Sequence, residues 1–200
     1  MRRDMTLSRA ALGDLSLLKQ VFLVLGGTVF IALAAKISVP MIPVPMSLQT
    51  LAILLVGFAF GSRLGAVTLL AYLAQGAMGL PMFTPTTAMG AAAFVGPTAG
   101  FLVGFVGMAW AAGLAAERGI AKGVAGTVFA ALVISSLLYV PGLIWPLAVA
   151  GAMGIDAGWA GLSLAQVWGG FAAPFILGDV LKAVIAALMV TGGWAALKRG

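Results

Sequence analysis

The sequence contains no cysteine and no histidine, and charge is scarce: five acidic and eleven basic side chains in 200 positions. Without cysteine there is no disulfide framework, and the redox compartment is left unmarked. The joint absence of Cys and His excludes Cys/His zinc sites and histidine-based catalysis. Charged residues make up 8% of the chain and hydrophobic residues 62%. A soluble domain carries about 25% charged residues, so the composition predicts an integral membrane protein. No Gly-x-x-x-x-Gly-Lys-Ser/Thr segment is present, so ATP hydrolysis, if transport here uses it, belongs to another chain. Asp179 has no acidic neighbour within its apolar stretch, and Ser135-Ser136 have no base nearby in sequence. Neither paired-carboxylate nor serine chemistry is therefore expected, and the sequence predicts a non-enzyme without metal or cofactor.

What is present is a series of apolar runs. Six spans are predicted, over 17–39, 48–61, 64–78, 98–116, 124–140 and 167–197. The second and third are short against the roughly 20 residues of a usual crossing. Pro40, Pro43 and Pro45 forbid regular helix between the first two spans and predict a stiff, extended loop over 39–47. A second uncharged loop, 79–97, is rich in Gly, Pro and Thr. The long 141–166 connection carries Trp145, Asp156 and Trp159, and tryptophan suits a membrane interface. Gly57, Gly61 and Gly65 recur every fourth residue, as do Gly96, Gly100 and Gly104; small residues at that spacing let helices approach closely. The first series crosses the turn at Arg63, so it is not expected on one helix.

The net charge of +6 invites a nucleic-acid reading, but the cations fall at span ends rather than in a stripe. Arg2, Arg3, Arg9 and Lys19 precede or open the first span, Arg63 separates the second and third, Arg118 and Lys122 the fourth and fifth, and Lys198-Arg199 follow the sixth. The three remaining connections hold no Lys or Arg. This alternation predicts cytoplasmic termini and outward-facing loops at 39–47, 79–97 and 141–166. The basic opening segment is followed by no small-residue cleavage site, which predicts an uncleaved first helix. The expected architecture is all-α: a single transmembrane domain, 1–200, with a cytoplasmic segment 1–16 and a six-helix bundle 17–197.

Two cations, Lys36 and Lys182, stand outside the alternation. Lys182 follows Asp179 by three residues inside the last apolar run, which places both on one helical face. Charges in a span cost roughly 2.5–3.5 kcal/mol each on insertion scales and are usually kept for function. Two readings stand: a mutually neutralising structural pair, or a pair that binds a polar ligand. Gln49 and Thr50 open the second span, Tyr72 and Gln75 lie near the outer end of the third, and Tyr139 near the outer end of the fifth. Together with Asp179 and Lys182 they predict an outward-opening pocket, apolar with a few orienting polar groups.

Several runs occur in an order that resembles one family. They are Ile42-Pro-Val-Pro-Met-Ser-Leu-Gln-Thr50, Gly61-Ser-Arg-Leu-Gly65, Tyr72 to Gln75 followed by Gly79-Leu-Pro-Met-Phe83, Gly96-Pro-Thr-Ala-Gly-Phe101, and Pro174-Phe-Ile-Leu-Gly-Asp-Val-Leu-Lys182. The chain is similar, over about residues 20 to 195, to the BioY family, the substrate-binding S components of energy-coupling-factor (ECF) biotin transporters. The resemblance implies six helices, an outward-facing biotin site, a transmembrane T component and two ATPase subunits as partners, and a multi-pass place in the bacterial inner membrane among lipid. It implies that Asp179 and Lys182 bind the ligand, with Gln49 and Tyr139 as further contacts. It also makes the first span, with Thr28, Ala32 and Ala35 on its small side, a contact for the T component, although packing within the chain would use the same residues. The sequence departs from the pattern at Thr84-Pro-Thr-Thr87, where a more Gly-rich, Asn-bearing loop is expected, and no contact is carried over there. Competing readings are a stand-alone transporter in which Asp179 carries a proton, a structural subunit locked by Asp179–Lys182, and an S component for thiamin or riboflavin. The last predicts more aromatics near the outer loops than Phe83, Tyr139 and Trp145.

Overall fold

The computed structural model describes residues 6–197; Arg2, Arg3, Lys198 and Arg199 of the charge pattern lie outside the described residues. A short helix, α1 (Leu7–Leu12), occupies part of the segment expected only as a cytoplasmic lead-in. Lys19 closes it, donating from Nζ to the carbonyls of Leu12 at 2.8 Å and Asp14 at 3.2 Å, where a cation meets the negative end of the helix. Helix α2 (Leu17–Lys36) starts at Ser16, whose hydroxyl accepts from the Lys19 amide. The prolines then hold the chain extended: β1 (Ser38–Val39) pairs antiparallel with β2 (Met46–Ser47) around the Pro-rich turn.

Helices α3 (Gln49–Phe60) and α4 (Ser62–Ala77) follow. At about 1.5 Å per residue they extend for roughly 18 and 24 Å, less than the ~30 Å hydrocarbon core. The 79–97 loop leads to α5 (Ala99–Glu117), and a turn at 118–123 to α6 (Val124–Ile144). Here the structure corrects the sequence reading. The helix expected to stop at Val140 runs through Pro141 to Ile144, widens for one turn over Trp145–Val149, and continues as α7 (Ala150–Ala152). A proline is tolerated inside an apolar helix when neighbouring helices and local adjustments absorb it. Here Gly100 and Gly104 of α5 leave the room: a Cβ on Gly104 would sit 2.8 Å from the Pro141 ring.

The last span is likewise not one continuous helix. A capping box at Ser163 and Gln166 starts α8 (Leu164–Phe171) three residues before the expected onset. Ala172 leaves helical geometry (φ −129°, ψ −60°), and Pro174, which has no amide to donate, sits in the tight turn before α9 (Ile176–Leu197). The described residues are thus mostly helical, and among them four helical stretches are long and apolar enough to cross a membrane: Leu17–Lys36, Ala99–Glu117, Val124–Ala152 and Leu164–Leu197.

Helix α5 lies at the centre, packed on α3, α4 and α6; α9 rests on α6 and α3, and α2 covers α3 and α4. The glycines make these contacts close. A Cβ on Gly57 would sit 2.6 Å from the Ala109 carbonyl oxygen, and one on Gly100 2.2 Å from that of Pro141. As expected, the first glycine series is shared between two helices, with Gly57 in α3 and Gly65 in α4. Each of α2, α5, α6 and α9 exposes apolar side chains: Phe22, Val103, Phe129, Leu137, Leu177 and Leu188 among them. Hydrocarbon, not water, suits that surface.

Candidate ligand site

One cavity gathers most of the polar residues singled out above. Its empty volume, counting the open space at its mouth, is about 610 Å³, and Gln49, Thr50, Tyr139, Asp179 and Lys182 all line it. Helix α9 brings Asp179 and Lys182 in one turn after the Pro174 break, α3 brings Gln49 and Thr50 directly after the hairpin, and α6 brings Tyr139. The side chains form a continuous chain of hydrogen bonds. The Tyr139 hydroxyl donates to Asp179 Oδ2. Lys182 Nζ lies 3.5 Å from Asp179 Oδ1 and 3.0 Å from Thr50 Oγ1.

The ion pair is therefore loose, longer than the 2.7–2.9 Å typical of a charge-assisted bond, and Lys182's shorter bond is to the threonine. Lys182 is the more buried partner, its side chain 8% exposed against 15% for Asp179. A second chain stands behind the first. Gln49 Nε2 donates to the Tyr72 hydroxyl at 2.9 Å, and that hydroxyl donates to the Met82 carbonyl at 2.8 Å. Tyr72 thus supports the wall without lining it, and Gln75 is not among the lining residues. Trp145 is also outside the lining; its Nε1 donates to the Gly96 carbonyl at 2.9 Å and ties α6 to the end of the 79–97 loop.

The sequence reading missed part of the lining. Thr84 and Thr87, at the point of departure from the family pattern, both face the cavity, joined by a 2.6 Å hydrogen bond between their hydroxyls. Thr98, Phe101, Leu102 and Phe105 of α5 and its approach also line it, as does Phe175 from the turn before α9. The i, i+4 spacing of Phe101 and Phe105 was a legible signal that both share one face; nothing local marked Thr84 and Thr87. With Phe83, Phe101, Phe105, Tyr139 and Phe175 around it, the cavity is walled by aromatics. Scarcity of aromatics is therefore no argument against an aromatic ligand. Tyr139 meets Phe101 edge to face, with centroids 6.2 Å apart.

A few polar groups among aromatic and aliphatic side chains suit a small ligand with a hydrogen-bonding head and an apolar body. Among the described residues no cluster of acidic side chains suits a metal ion.

Known proteins resemble the chain throughout. A "Biotin transporter BioY" of Rhizobium etli is 38% identical over 163 residues, covering 80% of this chain and 83% of that protein. One of Rhodobacter capsulatus is 36% identical over 164 residues, covering 76% and 81%. In shape, the chain matches a crystal structure described as the S-component for biotin from an ECF-type ABC transporter. The TM-score is 0.67 at 26% identity, over 88% of this chain and 90% of that one. The sequence profile of the BioY family matches residues 4–199. With that match over nearly its whole length, and with several helices apolar enough for a bilayer, the chain belongs to the BioY family of multi-pass membrane proteins.

Proposed function

We propose that the chain is the biotin-binding S component of an ECF-type transporter, capturing biotin at the Asp179–Lys182 cavity and performing no chemistry on it. The observation that carries this is the Tyr139–Asp179–Lys182–Thr50 hydrogen-bond chain in a cavity otherwise lined mostly by aromatic and aliphatic side chains. Biotin offers a ureido ring with two N–H donors and a carbonyl acceptor, an apolar thiophane and chain, and a carboxylate. An ionised Asp179 accepts from ureido N–H groups, and Lys182 donates to the carbonyl or the carboxylate. Gln49 and Tyr139 complete the polar contacts, and the phenylalanines take the thiophane and chain.

In this reading residues 1–200 form a single transmembrane domain in the bacterial inner membrane. The chain crosses it six times, α3 and α4 being completed by flanking chain, with both termini cytoplasmic. The absence of Lys and Arg from the 39–47 and 79–97 loops, which border the cavity, favours an outward-facing site. A T component and two ATPase subunits supply the energy.

Calorimetry on the detergent-solubilised chain tests the proposal, with thiamin and riboflavin as controls. Biotin binding in the nanomolar to low-micromolar range, absent for the controls, is expected. Folded protein that ignores biotin would return Asp179–Lys182 to a structural role.

A further inference from the structure

Lys36, the other cation outside the charge alternation, is not used by the biotin site. It ends α2, and its Nζ donates to the Phe83 carbonyl at 2.6 Å across 47 residues of sequence. Phe83 and the next residue, Thr84, both line the cavity. The segment that Lys36 grips is a closed loop. Gly79 (φ 92°) and Gly90 (φ 65°) adopt left-handed backbone at its two ends, and a Cβ on Gly90 would lie 3.9 Å from the Gly79 Cα. Ends that meet and an interior packed on itself are the marks of an Ω-loop. Met82, Phe83 and Thr84 are buried inside, while Pro85, Thr86, Ala88 and Met89 are exposed.

Consecutive carbonyls of this loop are held from different helices. Tyr72 of α4 takes Met82, and Lys36 of α2 takes Phe83. Helix α4 is part of the packed centre. Helix α2 is the least embedded of the long helices, with four of its 20 residues buried against 11 of 19 in α5. One charge-assisted bond therefore joins a peripheral helix to the cavity wall. Lys36 itself is exposed, so replacing it removes that bond without opening a hole in the core.

We propose that Lys36 is a positioning residue: from the end of α2 it latches the Gly79–Gly90 loop against the ligand cavity. The inference rests on the reading of the cavity as the biotin site. Its test uses the full chain in detergent, as wild type, Lys36→Met and Lys36→Arg. In ligand-free protein, amides of residues 80–90 should exchange with deuterium roughly tenfold faster in Lys36→Met, and near the wild-type rate in Lys36→Arg, with α5 amides unchanged. Biotin should leave Lys36→Met roughly tenfold faster, with a smaller change in association and recovery in Lys36→Arg.

Unchanged loop exchange in Lys36→Met overturns the latch, whether or not biotin binds. Faster exchange spread equally over α5 overturns it as general destabilisation. Faster loop exchange with unaltered biotin release overturns the role toward the ligand. A wild-type chain that binds no biotin, with loop exchange still responsive to Lys36→Met, removes the biotin reading and the retention role with it.

Discussion

The two halves of α5 face their neighbours differently. Toward its C-terminus the helix presents Ala109, Ala112 and Gly113 to α3 and the α3–α4 turn, so closely that a Cβ on Gly113 would sit 2.2 Å from the Gly61 carbonyl carbon and the Ser62 nitrogen. Toward its N-terminus it presents Phe101, Leu102 and Phe105, and a cavity remains. Each half also has a carboxylate nearby. Glu117 accepts from the Ser62 amide at 2.8 Å and from the Ser62 hydroxyl at 2.8 Å and 3.0 Å, which pins a turn. Asp179 accepts from Tyr139 and Lys182, side chains that a ligand can draw away. In a medium without a hydrophobic drive between helices, contact between small residues holds a bundle together. Both halves of α5 use it, but in the N-terminal half the close contacts, at Gly100 and Gly104, go to α6 and its continuation, and Phe101, Leu102 and Phe105 leave a cavity beside them.

The sharpest break of this comparison is Gly113→Leu. The added side chain meets backbone that cannot yield cheaply, and the expected cost is more than about 3 kcal/mol, read as loss of monodisperse protein in detergent. A well-folded Gly113→Leu protein would show that the closed half is not the structural one. Asp179→Asn comes next: biotin affinity should fall by about tenfold or more, roughly 1.4 kcal/mol, with the melting midpoint held. If the midpoint collapses while affinity survives in the folded fraction, the open half is structural too. Lys182→Met keeps the bulk of the stem and removes the donor; titration should show affinity reduced by about fivefold. Thr87→Ala, which leaves the Thr84 hydroxyl in place, is expected to weaken binding by only about twofold to threefold. An effect as large as that of Asp179→Asn would move the centre of recognition to the loop.

Much of this arrangement was legible because lipid makes charge conspicuous. Asp179 and Lys182 stood out against an apolar run, and three-residue spacing was enough to join them. Gln49 and Tyr139 followed from their places at span ends. The extended 39–47 stretch and the shortness of α3 and α4 were readable from prolines and length; the pairing of β1 with β2 was not. The failures have physical causes. Pro141 reads as a stop because its ring removes a donor, yet Gly100 and Gly104, distant in sequence, make the room that lets the helix continue. The α8 start rests on a capping box within a stretch taken for a connection. Thr84 and Thr87 carry no periodicity and no charge; only the closure of their loop, which depends on contacts with α2 and α4, turns them inward.

Among the described residues no buried polar side-chain atom lacks a partner, and the polar side chains of the cavity bond to one another. A molecule that binds at the polar wall meets side chains already engaged with one another, and gains most where it trades for those bonds. To reach Asp179 it competes with the Tyr139 hydroxyl, and to reach Lys182 it competes with Thr50 and with Asp179 itself. A compound that supplies a donor for the carboxylate but no acceptor for the ammonium breaks bonds it cannot replace, and is turned away at a net loss. Selection by exchange favours molecules carrying both halves of the polar match in one rigid head. It also keeps the resting wall in order between one passenger and the next.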